Sequence, residues 1–169
     1  MGNKPRCVSN HVGSRWYRAP EISLIEKQYD FAQDMWSIGC VLFEVLKCSK
    51  ENAEYSTKNL KHRVLFPGES CFPLSPRQQL QDDSMTNVVD RTDQLFMTFK
   101  LLGPQTDDDL SFLSDKAMRS YAQNLSKGAG SKKIDFKNFF PKNSLDIVQT
   151  LDHLLYLNPH FRSSASEAL

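Results

Sequence analysis

Apolar residues recur at three- and four-residue spacings in several stretches of the chain, and sustained two-residue alternation bounded by turns is absent, so the expected fold is mainly α. Asp30 stands three residues before Gln33, the arrangement of a capping box, so a helix should begin near Phe31. From there Phe31, Met35, Trp36, Ile38, Val41, Leu42, Val45 and Leu46 leave little polar surface. A helix with that composition is expected to be surrounded by neighbours, and residues 30–47 read as the central buried helix.

Between Cys48 and Arg91 the period is lost, and Pro67, Gly68, Pro73 and Pro76 break the segment into loops. Leu95, Phe96, Phe99 and Leu102 restore it, and Gly103-Pro104 predicts the stop of that helix. Thr106, followed by three aspartates, predicts a short helix through Leu113, with a cap and negative charge at its start. Two further helices are expected, over 114–125 before the break at Gly128–Gly130, and over 145–157 before Asn158-Pro159. Ser164 and Glu167 form another capping box, so a last helix is expected to be cut short at Leu169.

The 169 residues, 40% of them hydrophobic, are enough for one domain with a core. A net charge of +1, from 21 basic and 20 acidic residues, supplies no field that would draw nucleic acid or an anionic membrane, so neither is an expected partner. The longest apolar stretch, Met35 to Leu46, is too short to span a bilayer. Met1 to Arg6 lacks the apolar run of a signal peptide, and Cys7, Cys40, Cys48 and Cys71 show no CxxC spacing. Reduced thiols and a cytoplasmic or nuclear location are expected.

Residues 11–44 contain His-Val-Gly-Ser-Arg-Trp-Tyr-Arg-Ala-Pro-Glu, then Asp34-Met-Trp-Ser-Ile-Gly-Cys, and Glu44. This run resembles the end of a protein-kinase activation segment and the helix that follows it. Trp16-Tyr17-Arg18, Leu65-Phe66-Pro67-Gly68, Asp93-Gln94-Leu95, Leu101-Leu102-Gly103 and Asn158-Pro159 through Arg162 are similar, in family order, to mitogen-activated and cyclin-dependent kinases. The resemblance implies the C-terminal lobe of the kinase fold, incomplete at both ends. Residues 1–29 would end the activation segment and carry the substrate-binding loop, 48–91 would be loop inserts longer than the family's usual lengths, and 92–169 the remaining helices of the lobe.

The same resemblance implies roles for individual residues. Glu21 is expected to pair with Arg162 through two parallel hydrogen bonds, tying the substrate-facing loop to the helical core. Asp34 matches a carboxylate that receives backbone amides of the catalytic loop, and Trp36 belongs to the same structural set. Ser14 matches a threonine that helps orient the acceptor hydroxyl. Arg18 is expected to occupy the Gly13 carbonyl, leaving no acceptor for the next amide of a substrate and so favouring proline, which has none. Arg15 matches the family's phosphotyrosine partner. The Thr-x-Tyr switch of mitogen-activated kinases is replaced by Ser9, Asn10 and His11, so Ser9 is the remaining phosphorylation candidate.

Phosphoryl transfer in kinases uses a glycine-rich cover, a strand lysine, a catalytic-loop aspartate with its asparagine, and a metal-holding aspartate before Phe-Gly. None occurs in family order, so no catalytic, cofactor-binding or metal residue is assigned. Asp30-Phe31-Ala32 reads as a helix cap, Gly128-Ala129-Gly130 as a connector, and the four histidines lack metal spacing. ATP and magnesium are expected in a complete parent kinase acting on Ser/Thr-Pro protein substrates, with no phosphotransfer by these residues alone. The alternative is a docking module that holds a protein partner through Phe72, Phe96 and Phe99.

Overall fold

A computed structural model describes residues 13–55, 63–74, 90–130 and 132–169. Ser9, Asn10, His11, Cys7, His62 and Ser75 lie outside the described residues. Within them the chain forms helices α1 (Pro20–Ser23), α2 (Ala32–Cys48), α3 (Gln94–Leu102), α4 (Lys116–Ala129), α5 (Phe136–Phe139), α6 (Leu145–Leu154) and α7 (Ala165–Ala168). Short 3-10 turns cover Arg15–Tyr17, Lys50–Tyr55 and Pro159–Phe161. Strand pairing among the described residues is a single parallel bridge, Ser70 to Asp93, in keeping with the mainly helical expectation.

Helix α2 organises the rest. Asp30 opens it by accepting the Ala32 N–H at 2.8 Å, two residues on and not three as in a capping box. At the other end Asn52 Nδ2 donates to the Leu46 carbonyl at 2.8 Å, satisfying one of the acceptors a helix end leaves free. One face of α2 buries Met35, Trp36, Gly39, Cys40, Phe43 and Leu46. Trp36 stacks on Phe66 with ring centroids 5.5 Å apart. Phe43 meets Phe136, Phe139 and Phe140, so one aromatic side chain gathers α5 onto α2. Gly39 is small because α6 lies against it: an added Cβ would stand 3.0 Å from Leu154 Cβ and Leu155 Cδ2.

The expectation that α2 is enclosed on all sides is corrected by its other face. Phe31 is 86% exposed, Ile38 50%, Val41 50% and Val45 60%. With Asp34 and Cys48, also exposed, they form a stripe spaced by three and four residues along the whole helix. Hydrophobicity on every side signals that a helix wants neighbours, but these elements supply neighbours for one side only.

Helix α3 ends where the sequence predicts, at Gly103 with φ of 76°, a region that favours glycine. The short helix expected through Leu113 is not formed. Thr106 and Asp109 do exchange hydrogen bonds, Thr106 N–H to Asp109 Oδ2 at 2.8 Å among them, but only turns follow over 107–112. Three consecutive aspartates are weak helix formers, and the next residues are claimed elsewhere: Ser114 donates its N–H to Glu26 Oε2 at 2.7 Å. Helix α4 begins later than expected, capped by Asp115, and runs through Gly128 to Ala129 before the left-handed Gly130. Helix α6 stops at Leu154, three residues early, and α5 was not anticipated because four residues show no period. The capping box of Ser164 and Glu167 forms as expected.

A candidate substrate-presenting loop

The loop over 13–19 is built by local bonds and then pinned from two sides. Tyr17 N–H bonds the Ser14 carbonyl at 3.0 Å, making the 3-10 turn that follows Gly13. Gly13 has φ of +73°, where any other residue type is strained. That backbone turns its carbonyl to Arg18, whose Nη2 donates to it at 3.1 Å. From the core side, Ser37 of α2 donates its hydroxyl to the Tyr17 carbonyl at 2.9 Å. Burial, reinforced by a hydrogen bond with Glu44, pushes the Tyr17 phenol up to about 12, so it stays neutral.

The second support is the loop at Pro67–Glu69. Arg15 Nη1 donates to the Glu69 carbonyl at 2.7 Å and Trp16 Nε1 to the Gly68 carbonyl at 3.0 Å. Between the two loops lies an open cavity of about 450 Å³, lined by Ser14, Arg15, Trp16, Tyr17, Pro67, Gly68 and Glu69. Gly68 is required here because a Cβ would fall 2.4 Å from Gln94 Oε1 and 2.7 Å from Gln94 Cα. Sequence reasoning picked out Leu65 to Gly68 as a motif but not Glu69. A contact through a backbone carbonyl leaves no side-chain signature to read.

Helix α1 carries the loop into the core. Its Pro20 sits at the first helical positions, and Glu21 is 1% exposed. Arg162, 6% exposed, reaches that carboxylate with two parallel bonds, Nη1 to Oε1 at 2.8 Å and Nη2 to Oε2 at 3.0 Å. The remaining donors go to the carbonyls of Tyr156, Leu157 and Ala32, so all five N–H groups of the guanidinium are used. Burying an ion pair is costly unless its hydrogen bonds are complete, and here they are. The guanidinium also lies 5.3 Å above the Trp36 ring centroid, which links loop, α2 and the 3-10 turn at 159–161.

Next to α1 a second carboxylate is buried. Ile25 has φ of 57°, a costly conformation for a β-branched residue, of order 1–3 kcal/mol. It is held there by Glu26, which accepts the N–H groups of Lys27, Gln28 and Ser114 and the Ser114 hydroxyl. Burial raises the Glu26 pKa, but those hydrogen bonds outweigh it and leave the carboxyl below its ordinary value.

Gly13, Ser14, Arg15, Arg18, Glu21, Trp36 and Arg162 are therefore brought together around one loop and its anchor. Asp34 is apart from them on the exposed face of α2. Of the phenylalanines expected to form a docking surface, Phe99 is fully buried and Phe96 partly buried, while Phe72 is 36% exposed and packs edge-on against Tyr121 at 5.5 Å. Among the described residues no set fits ATP or its magnesium. The Asp30 carboxylate is committed to the Ala32 amide, Gly128 and Ala129 lie within α4, and no cluster of metal-ligating side chains occurs among the described residues. Nor is any helix among them long and apolar enough to cross a membrane.

The protein kinase domain family matches residues 1–169. Mitogen-activated protein kinase spk1 of Schizosaccharomyces pombe is 33% identical over 169 residues, all of this chain and 36% of that protein. Mitogen-activated protein kinase PMK1 of Pyricularia oryzae is 31% identical over 167 residues, 99% of this chain and 36% of that protein. Extracellular signal-regulated kinase 1 of Dictyostelium discoideum is 26% identical over 162 residues, 96% of this chain and 24% of that protein. The chain thus spans between about a quarter and little more than a third of the length of these relatives, and with its whole length matched it belongs to the eukaryotic serine/threonine protein kinase family, in the mitogen-activated and cyclin-dependent branch.

Proposed function

We propose that this chain is the substrate-presenting part of the C-terminal lobe of a serine/threonine kinase that phosphorylates Ser/Thr-Pro sequences in proteins. Residues 1–29 would end the activation segment, 30–47 form the lobe's central helix, 48–91 carry the inserts and 92–169 the remaining helices. The observation that carries the reading is the bond from Arg18 to the Gly13 carbonyl at 3.1 Å. A peptide laid along this loop would find that acceptor taken. An ordinary residue after the acceptor serine would leave its amide N–H without a partner, at a cost of about 1–3 kcal/mol when buried, whereas proline has no N–H to strand.

Ser14 would orient the acceptor hydroxyl, and Arg15 and Trp16 would hold the loop against Pro67–Glu69. ATP and magnesium would be held by parts of the kinase domain that these residues do not include. Their place would be beside the exposed stripe of α2, where Asp34 offers a carboxylate to backbone amides of a catalytic loop. Ser9 would serve as the phosphorylation site that orders the segment. A cytoplasmic or nuclear location of the parent kinase belongs to the same proposal.

The test is a titration of the purified chain, followed by NMR, with two peptides that differ only in having Pro or Ala after the serine. The proline peptide should bind at least about tenfold tighter, the ratio that corresponds to 1.4 kcal/mol. Substituting Arg18→Ala should erase the difference. Equal affinity for both peptides would remove the support for proline direction.

A further inference from the structure

Behind the Gly68 carbonyl that receives Trp16 stands Gln94, the first residue of α3 and 1% exposed. Its side-chain amide serves one group: Oε1 accepts the Gly68 N–H at 3.1 Å. Nε2 is buried with no hydrogen-bond partner among the described residues. Exchanging the oxygen and nitrogen would set two N–H donors face to face, so the Gly68 amide fixes which way the side chain lies. A buried amide with an idle donor is a poor way to fill a core, where leucine or methionine would leave nothing unpaired. Its one polar bond is what sets glutamine apart at this position.

Gly68 joins two peptide planes. The plane after it carries the carbonyl that takes the Trp16 indole N–H at 3.0 Å, and the Glu69 N–H of the same plane reaches the Thr92 carbonyl at 2.9 Å. The plane before it carries the N–H that Gln94 receives, shared with the Phe66 carbonyl at 2.9 Å. Phe66 lies two residues back in the same loop, so its bond shapes the turn without locating it against α3. Gln94 locates it, and its own N–H also holds the Ser70 carbonyl at 3.0 Å. Glycine has the widest choice of both backbone torsions, so its carbonyl is left one direction only when the planes on both sides are held. Thr92 holds one through its backbone, and Gln94 holds the other through its side chain.

We propose that Gln94 is a positioning residue for the substrate-presenting loop: its Oε1 holds the plane before Gly68, so that the carbonyl after it stands ready for Trp16. Arg15, the neighbour of Trp16, bonds the next carbonyl of the same fixed stretch, that of Glu69. The consequence for substrate binding rests on the reading under Proposed function. A glutamine serving only to fill space would be replaced by methionine, of similar length, without effect on Trp16. The positioning role requires an acceptor at that place.

The experiment uses the 169-residue chain labelled with 15N. It has two tryptophans, Trp16 and Trp36, and so two indole N–H signals, which Trp16→Phe assigns by the loss of one. Gln94→Met should shift the Trp16 signal and speed its exchange with solvent by about fivefold or more, as weakening of one hydrogen bond would. Trp36, fully buried and stacked on Phe66, should stay slow to exchange and so report an intact fold. Gln94→Glu keeps an acceptor, and its charge suits the start of a helix, so the Trp16 signal should stay near the wild-type position. Should Gln94→Met not fold, Gln94→Asn, one methylene too short to reach Gly68, must move the signal in the same sense. A Trp16 signal unchanged in the folded variant overturns the proposal, and so does one that Gln94→Glu moves as far as Gln94→Met. Peptide binding forms a separate arm: no proline preference in the wild-type chain defeats the proline-directed reading, while the indole signal still decides the role of Gln94. With that preference present, Gln94→Met should weaken binding of the proline peptide by about threefold or more, and undiminished binding counts against the proposal.

Discussion

Arg162 has all five of its donors occupied and Glu21 has both of its oxygens bonded to it. Each side chain therefore depends on the other to be buried at all. Glu21→Leu should destabilise the chain by about 3–5 kcal/mol, because the guanidinium is left charged without its counterion. The double variant Glu21→Leu, Arg162→Met should recover part of that loss, since no stranded charge remains. Urea unfolding of the two singles and the double measures it, and losses that simply add would contradict the coupling. Glu26 supports a different prediction. Its folded pKa lies below the ordinary value, so its contribution to stability is present above the unfolded pKa and disappears as pH falls through the folded one. Thermal melts of wild type should lose stability over that acid range, and Glu26→Gln should have a flatter profile there, with a lower melting temperature near neutrality. A variant as acid-sensitive as wild type would show that other carboxylates carry the effect.

At the scale of elements, α2 has two unequal faces, and substitutions on them should differ sharply. Val41 and Val45 are half exposed or more, so Val41→Ser and Val45→Ser should each change stability by no more than about 0.5 kcal/mol. Phe43→Ala, at the meeting point of three other phenylalanines, should cost about 3–5 kcal/mol. A Val41→Ser loss as large as that of Phe43→Ala would mean that the stripe is covered in this chain. Gly39→Ala belongs to the same comparison: its Cβ would press on Leu154 and Leu155 at 3.0 Å, and overpacking of that kind typically costs about 1–3 kcal/mol. The end of α3, the start of α2 and the capping box at Ser164 were legible because caps and terminal glycines are local chemistry. The turns at 107–112 were not, since Thr106 and Asp109 form the right bonds and the continuation is decided by Glu26, 88 residues from Ser114 in sequence.

For the whole molecule, the described residues form a loop and the anchor that holds it to the helical core. Purified chain incubated with ATP, magnesium and a Ser-Pro peptide should transfer no radiolabelled phosphate, and transfer that Arg18→Ala abolishes would show that the machinery lies within these residues after all. The sequence by itself determined the helical class, the family and the residues that meet at the loop, because spacing, caps and motif order are properties of the chain read in line. Tertiary structure alone decided which face of α2 is covered, that Glu69 and Gly68 hold the loop through their carbonyls, and that Cys71 is buried against Ser23. Those outcomes depend on which distant segments arrive at the same place, and neither a backbone carbonyl nor an absent neighbour leaves a mark in the order of side chains.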